Sequence, residues 1–255
     1  TCVWYACGRD GTHAWERVLP TGAMQIVVNL CDDATTIRDR LQTDSDTVLS
    51  GAVMNGIYSR PLLLNAASRV ATVGVSFVPG GVAPFLDRPA AELKNQTVSL
   101  ETIWGDPGRQ VRSRLLKAST PQAKFQVLEA TLRNRLRAAK ISSFVDEAVE
   151  LVQKQAGMVS VDALVEHTGY SHRHVADRFR DRVGLSPKRF CRVVRFQAAL
   201  SRAQTGPVDW PQLALACGYY DQAHLIRDFR AFADMSPTAY RDHAPSEKNH
   251  VPLTP

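Results

Sequence analysis

Eight side chains in the latter part of this chain carry groups that a macromolecular ligand could read. His172, Arg173, Ala176 and Asp177 fall one, two, five and six positions after Ser171, and Gln222, Ala223, Ile226 and Arg227 fall at the same four positions after Asp221. In a DNA major groove a guanidinium matches the paired acceptors of guanine. A carboxamide matches the donor and acceptor of adenine, and Ala or Ile can touch only a thymine methyl. Asp177 could accept from cytosine, or pair instead with Arg173 or Arg180.

That spacing has meaning only if each set lies on one face of a helix, and the surrounding residues predict this. Ser171 and Asp221 are N-cap types. Behind them Val175, Phe179 and Val183, or Leu225, Phe229 and Phe232, recur at three- and four-residue steps, so the eight candidates point away from a buried stripe. The two segments superpose at a constant offset of 50: His174 on His224, Phe179 on Phe229, Arg180 on Arg230, Ser186-Pro187 on Ser236-Pro237 and Phe190 on Tyr240. One position out of phase, Ser160 through Leu164 to Gly169-Tyr170 falls on Asp209 through Leu213 to Gly218-Tyr219, which predicts a two-turn helix ended by glycine before each longer one. A supersecondary unit of helix, tight turn and helix is therefore used twice. His174 and His224 lie beside the apolar stripe, and packing or a phosphate contact suits them better than base readout.

The tandem pattern of Gly-Tyr, cap, Phe, Ser-Pro and aromatic resembles the AraC/XylS family of transcriptional regulators over roughly a third of the chain. The resemblance implies two helix-turn-helix motifs joined by a long helix, here Pro187 to about Thr205, with recognition helices entering successive major grooves of double-stranded DNA about 34 Å apart. It also implies contact with RNA polymerase at a promoter or operator. Local charge agrees with an anionic partner. From Ser171 to Arg202 nine basic residues stand against two acidic ones, a net of +7, beside +6 for all 255 residues. Lys188, Arg192 and Arg195 on the joining helix are the phosphate candidates.

Residues 1–103 read differently. Met24–Leu30, Thr47–Val53 and Ala71–Phe77 are short β-branched runs between Gly, Pro, Asp and Asn clusters, which predicts a β-rich sandwich or small barrel. Trp15 to Gly22 and Gly74 to Gly81 resemble the N-terminal sensor domain of one branch of the same family. That likeness implies a cupin-like barrel holding a small effector. Trp15 and Arg17 are either its lining or ordinary strand residues. Residues 104–140 return to helical apolar stripes, broken at Ser119-Thr120-Pro121 and near Lys140–Ser143. They form either a dimer interface with a second copy or a helical cap on the barrel. The fold class is α+β, with the reader at 141–242, its linker near Ala138–Ser143, and a disordered tail at 243–255.

Composition excludes other classes. At 44% hydrophobic and 22% charged the chain is of ordinary globular type, and no apolar run reaches the ~18 residues of a transmembrane helix. No leader of the secretory kind is visible, although Thr1 in place of Met implies trimming. Five scattered cysteines argue against a disulfide framework and for a reducing cytoplasm. An enzymatic cupin would need converging ligands, yet His13 is the only histidine before His167. A DNA-repair methyl acceptor would need an activated cysteine in a metal cluster, and Cys2 and Cys7 lack that spacing. A module whose helices bind protein is the minor remaining class. No catalytic residue, metal or cofactor is expected.

Overall fold

The computed structural model describes residues 1–7, 14–39, 45–136, 143–204 and 207–253. Two five-stranded antiparallel sheets come first. One runs β1 (Cys2–Cys7), β8 (Ala71–Ser76), β3 (Gln25–Asn29), β6 (Ala52–Asn55), β9 (Thr97–Ser99). The other runs β10 (His250–Pro252), β2 (Trp15–Val18), β7 (Leu62–Asn65), β4 (Thr35–Arg38), β5 (Thr47–Leu49). Alternation along β3 shows why its run is apolar throughout: Gln25 and Val27 face a cavity between the sheets, while Ile26 and Val28 are buried on the opposite face. At the β1–β8 pairing Gly74 is required sterically, because a Cβ there would lie 2.5 Å from both the Ile26 carbonyl and the Trp4 ring.

The stretch Thr47–Val53, expected as one strand, is two. Between β5 and β6 the chain crosses from one sheet to the other at Ser50-Gly51, where the Gly51 amide donates to Asp33 Oδ1 at 3.0 Å and its carbonyl accepts from the Asn29 amide at 2.7 Å. Pattern alone does not reveal the crossing, since both halves are β-branched.

Helices α1 (Leu100–Trp104), α2 (Asp106–Lys117) and α3 (Pro121–Arg135) pack on the outer face of the first sheet and bury Val111, Leu115 and Leu128 there. The linker expected at Ala138–Ser143 falls mostly on 137–142, outside the described residues. Then follow α4 (Ser143–Lys154), α5 (Val161–Thr168), α6 (His172–Val183), α7 (Pro187–Ala203), α8 (Trp210–Ala216), α9 (Gln222–Ala233) and α10 (Pro237–Asp242). Each of α5 to α10 starts at a Ser or Asp whose side chain accepts a main-chain N–H three residues on.

This helical unit is docked on the sheets. α6 ends at Gly184, with φ of 90°, where a Cβ would meet Ile57 at 2.6 Å, and its helix packs on the 3-10 turn Ala90–Leu93. Along α7, Arg189 Nη2 donates to the Ser59 carbonyl at 2.8 Å and Gln197 Nε2 to the Pro20 carbonyl at 2.7 Å. The disordered tail expected at 243–255 is corrected for 243–253. His250–Pro252 pair with β2, Val251 is fully buried, and residues 254–255 lie outside the described part. Proline and polar composition suggested disorder because the strand's partner lies more than 200 residues earlier in sequence.

Candidate nucleic-acid interface

The two reading helices repeat each other in burial as well as in sequence. On α6, Val175, Phe179 and Val183 are buried; on α9, Leu225, Phe229 and Phe232 are. The Ser171 hydroxyl accepts from the His174 amide at 3.3 Å and Asp221 Oδ1 from the His224 amide at 2.6 Å. His172, Arg173 and Asp177, and Gln222, Ala223 and Arg227, are exposed, while Ala176 and Ile226 are half-buried at matching positions. Arg173 is 94% exposed, so its guanidinium is at hand for an external ligand.

Asp177 has a partner already: Arg180 Nη1 donates to it at 2.9 Å, with Arg173 Nε farther off at 3.8 Å. His172 Nε2 stands 3.5 Å from Asp162 on α5. The second histidine of each unit packs against rings, His174 against Tyr170 and Phe144, and His224 edge-on to Tyr219.

The arginines of α7 are held internally. Arg192 donates through Nε and Nη2 to Asp228 Oδ1 at 3.1 and 2.5 Å, and Asp228 on α9 is only 1% exposed. Arg195 donates through Nη1 to the Gly218 carbonyl at 3.0 Å and through Nη2 to the Gly157 carbonyl at 3.1 Å, lying over the Tyr219 ring. The Tyr219 hydroxyl is pushed up by burial, with the Asp228 carboxylate adding to it. For Arg192 and Arg195 the phosphate expectation thus meets guanidiniums already engaged in clamping the second motif to α7. Lys188 remains exposed. Sequence reasoning misses Asp228, although a signal exists: it is an acid three residues after Leu225, on the apolar stripe, where the first unit has Arg178. Tyr220, just before the α9 cap, is 88% exposed.

Trp15 and Arg17 do not line the cavity between the sheets. Along β2 it is Val18 that lines the cavity, with Glu16 buried against Arg69 and His250. Trp15 lies beneath the Arg38 guanidinium on the outer face, and Arg17 faces Asp234, just beyond α9, at 3.7 Å. The strand's phase, which three aromatic or charged residues in four do not disclose, decides this. The cavity, of about 330 Å³, is lined by Trp4, Gln25, Asn55 and Arg69 and by aliphatic side chains including Val27 and Leu64. Among the described residues no group of three or more His, Cys, Asp or Glu is arranged to hold a metal ion, and no helix is long and apolar enough to cross a membrane.

The chain is thus a double-sheet domain carrying two capped helix-turn-helix units with matched exposed fronts. Residues 164–243 match a helix-turn-helix domain family and residues 1–99 a domain of unknown function (DUF6597). The HTH-type transcriptional activator AarP of Providencia stuartii is 27% identical over 101 residues, covering 39% of this chain and 75% of AarP. The HTH-type transcriptional regulator MtrA of Neisseria gonorrhoeae is 26% identical over 92 residues, covering 36% of this chain and 31% of MtrA; the match to an uncharacterized HTH-type regulator of Haemophilus influenzae likewise spans 31% of that protein. Across 96% of the chain and 98% of the other, the fold is similar to that of ToxT from Vibrio cholerae, at 10% identity and a TM-score of 0.51. The chain thus carries a helix-turn-helix domain of a recognised family at residues 164–243, on a fold shared with ToxT.

Proposed function

We propose that this protein is a sequence-specific transcription regulator that binds an asymmetric duplex site through α6 and α9, one in each of two successive major grooves. The carrying observation is the repeated helix with a fully buried rear and an exposed, capped front at equal positions. Arg173, Gln222 and Arg227 are the leading base readers, with His172, Ala176, Asp177, Ala223 and Ile226 completing the two faces. Lys188 holds phosphate; Arg192 and Arg195 serve chiefly to fix the second motif, and any phosphate contact they make is secondary. The cavity between the sheets takes a small effector, and Trp15 and Arg17 stand outside its lining. RNA polymerase and a second copy of the chain are partners proposed on resemblance alone, and the cytoplasm is the proposed compartment. The proposal includes no catalytic step.

Selection of duplexes from a random pool at about 0.15 M salt, where phosphate-only binding is weak, tests this. Recovery of two sequence blocks about one helical turn apart is the expected result. A pool that stays random with the whole chain and with cavity ligands present would sink the proposal.

A further inference from the structure

The cavity between the sheets is closed on one side by residues that follow the helical unit. Glu247 and His250 line it. They belong to a strap whose strand β10 pairs with β2, flanked by main-chain bonds from the Leu19 amide to the Asn249 carbonyl and from the Leu253 amide to the Trp15 carbonyl, both at 2.8 Å. Between those cavity residues, Lys248 and Asn249 hold the helical unit instead. Lys248 Nζ donates to Ser201 Oγ at 2.8 Å, the Lys248 carbonyl accepts from the Tyr240 hydroxyl at 2.9 Å, and Asn249 Oδ1 accepts from Gln197 Nε2 at 2.7 Å. A few consecutive residues thus touch both the cavity and α7.

Glu247 fastens this strap from the cavity side. It accepts from Arg69 Nη2 at 2.9 Å, whereas Arg69 Nη1 is bound to both oxygens of Glu16 at 2.7 and 2.6 Å. Glu16 is buried within its sheet, while the Glu247 side chain is 35% exposed, so the bond to Glu247 is the exchangeable one. A molecule taking its place on Arg69 must offer the same charge-assisted acceptor, a carboxylate. It must also gain from apolar contact what Glu247 gains from being tethered nearby. Val27, Val53 and Leu64 provide such a wall, and about 330 Å³ admits only a compact body.

We propose that the cavity binds a compact carboxylic acid with an apolar body, which replaces Glu247 on Arg69 and frees the strap joining the sheets to the DNA-reading unit. Its consequence at DNA rests on the regulator reading above; the exchange itself does not. Since Lys248 and Asn249 share the strap, losing the Glu247 bond loosens their hold on α7, and the ligand's arrival is felt where the two motifs are joined.

The test uses the full chain with cyclohexanecarboxylate as probe, and with cyclohexanecarboxamide and sodium chloride at equal ionic strength as controls. Hydrogen exchange at the Leu19 and Leu253 amides, followed by NMR, reads the strap. The acid is expected to speed exchange at both about tenfold, as suits loss of one partly exposed charge-assisted bond, and the controls to leave it unchanged. Glu247→Gln, nearly isosteric, is expected to exchange fast without ligand and to respond no further. Exchange in Glu247→Gln as slow as in the parent overturns the role of Glu247. Equal exchange of the parent in acid, amide and salt overturns the ligand class. Duplex selection by the parent is scored separately: its failure removes the regulator reading and leaves the exchange result standing.

Discussion

The substitution Glu16→Gln tests the charged centre of the sheet domain. Burial alone would raise the Glu16 carboxyl above its ordinary 4.5. Hydrogen bonds from His250 and Arg69, with their charges, outweigh that and bring it down to about 2. A drop of some two and a half units corresponds to about 3 kcal/mol favouring the folded state. Because the folded value lies below the unfolded one, this contribution is fully present above about pH 4.5 and is lost as pH falls through about 2. The introduced carboxamide would keep an acceptor for Arg69 and lose the charge, while Glu247 still neutralises the guanidinium. Urea unfolding of parent and variant from pH 7 to pH 2 should therefore show a gap of about 3 kcal/mol at neutrality that narrows below about pH 4.5. An equal gap at every pH would refute the electrostatic account, and no gap at neutral pH would refute the ion pair's contribution altogether.

At the proposed interface, Arg173→Ala, Gln222→Ala and Arg227→Ala should each cost about 1–3 kcal/mol of binding and relax preference at one base pair; equal affinity for the selected site in competition assays would remove that residue from the readers. Lys188→Ala should weaken binding to all sequences alike and flatten the dependence of log K on log salt by about one unit. A changed sequence preference with an unchanged salt slope would contradict the phosphate role. Asp228→Ala leaves Arg192 without its acceptor and should cost about 3 kcal/mol of stability, measured by thermal unfolding, and binding should fall with it. A variant melting with the parent would show that the clamp does not hold α9.

The helical half was readable in advance because its determinants are local. Caps such as Ser171 and Asp221, the terminating Gly169 and Gly184, and the stripe Val175–Phe179–Val183 all act within a few residues of where they stand. The sheets were readable only as strands. Which face of β2 turns inward, where Ser50-Gly51 passes between sheets, and that Val251 pairs beside Arg17 depend on partners far along the chain. The same division runs through the candidate site. The outward fronts follow from period, and Arg173 and Arg227 are exposed as that period predicts. The internal engagement of Arg192 and Arg195 does not follow from it, because a basic residue on a long helix looks identical whether it meets phosphate, a buried carboxylate or a carbonyl.

The clamp between α7 and the second motif makes the protein a gauge of fixed span. Seventeen residues of helix, about 25 Å at 1.5 Å per residue, stand between two heads that arginines and the docked sheets prevent from swivelling. A single base pair inserted between the blocks of a preferred site would move one block by about 3.4 Å and turn it about the DNA axis, and such a gauge has no joint to follow it. On the proposed function, targets of such a gauge would drift in letters far more readily than in length over evolutionary time.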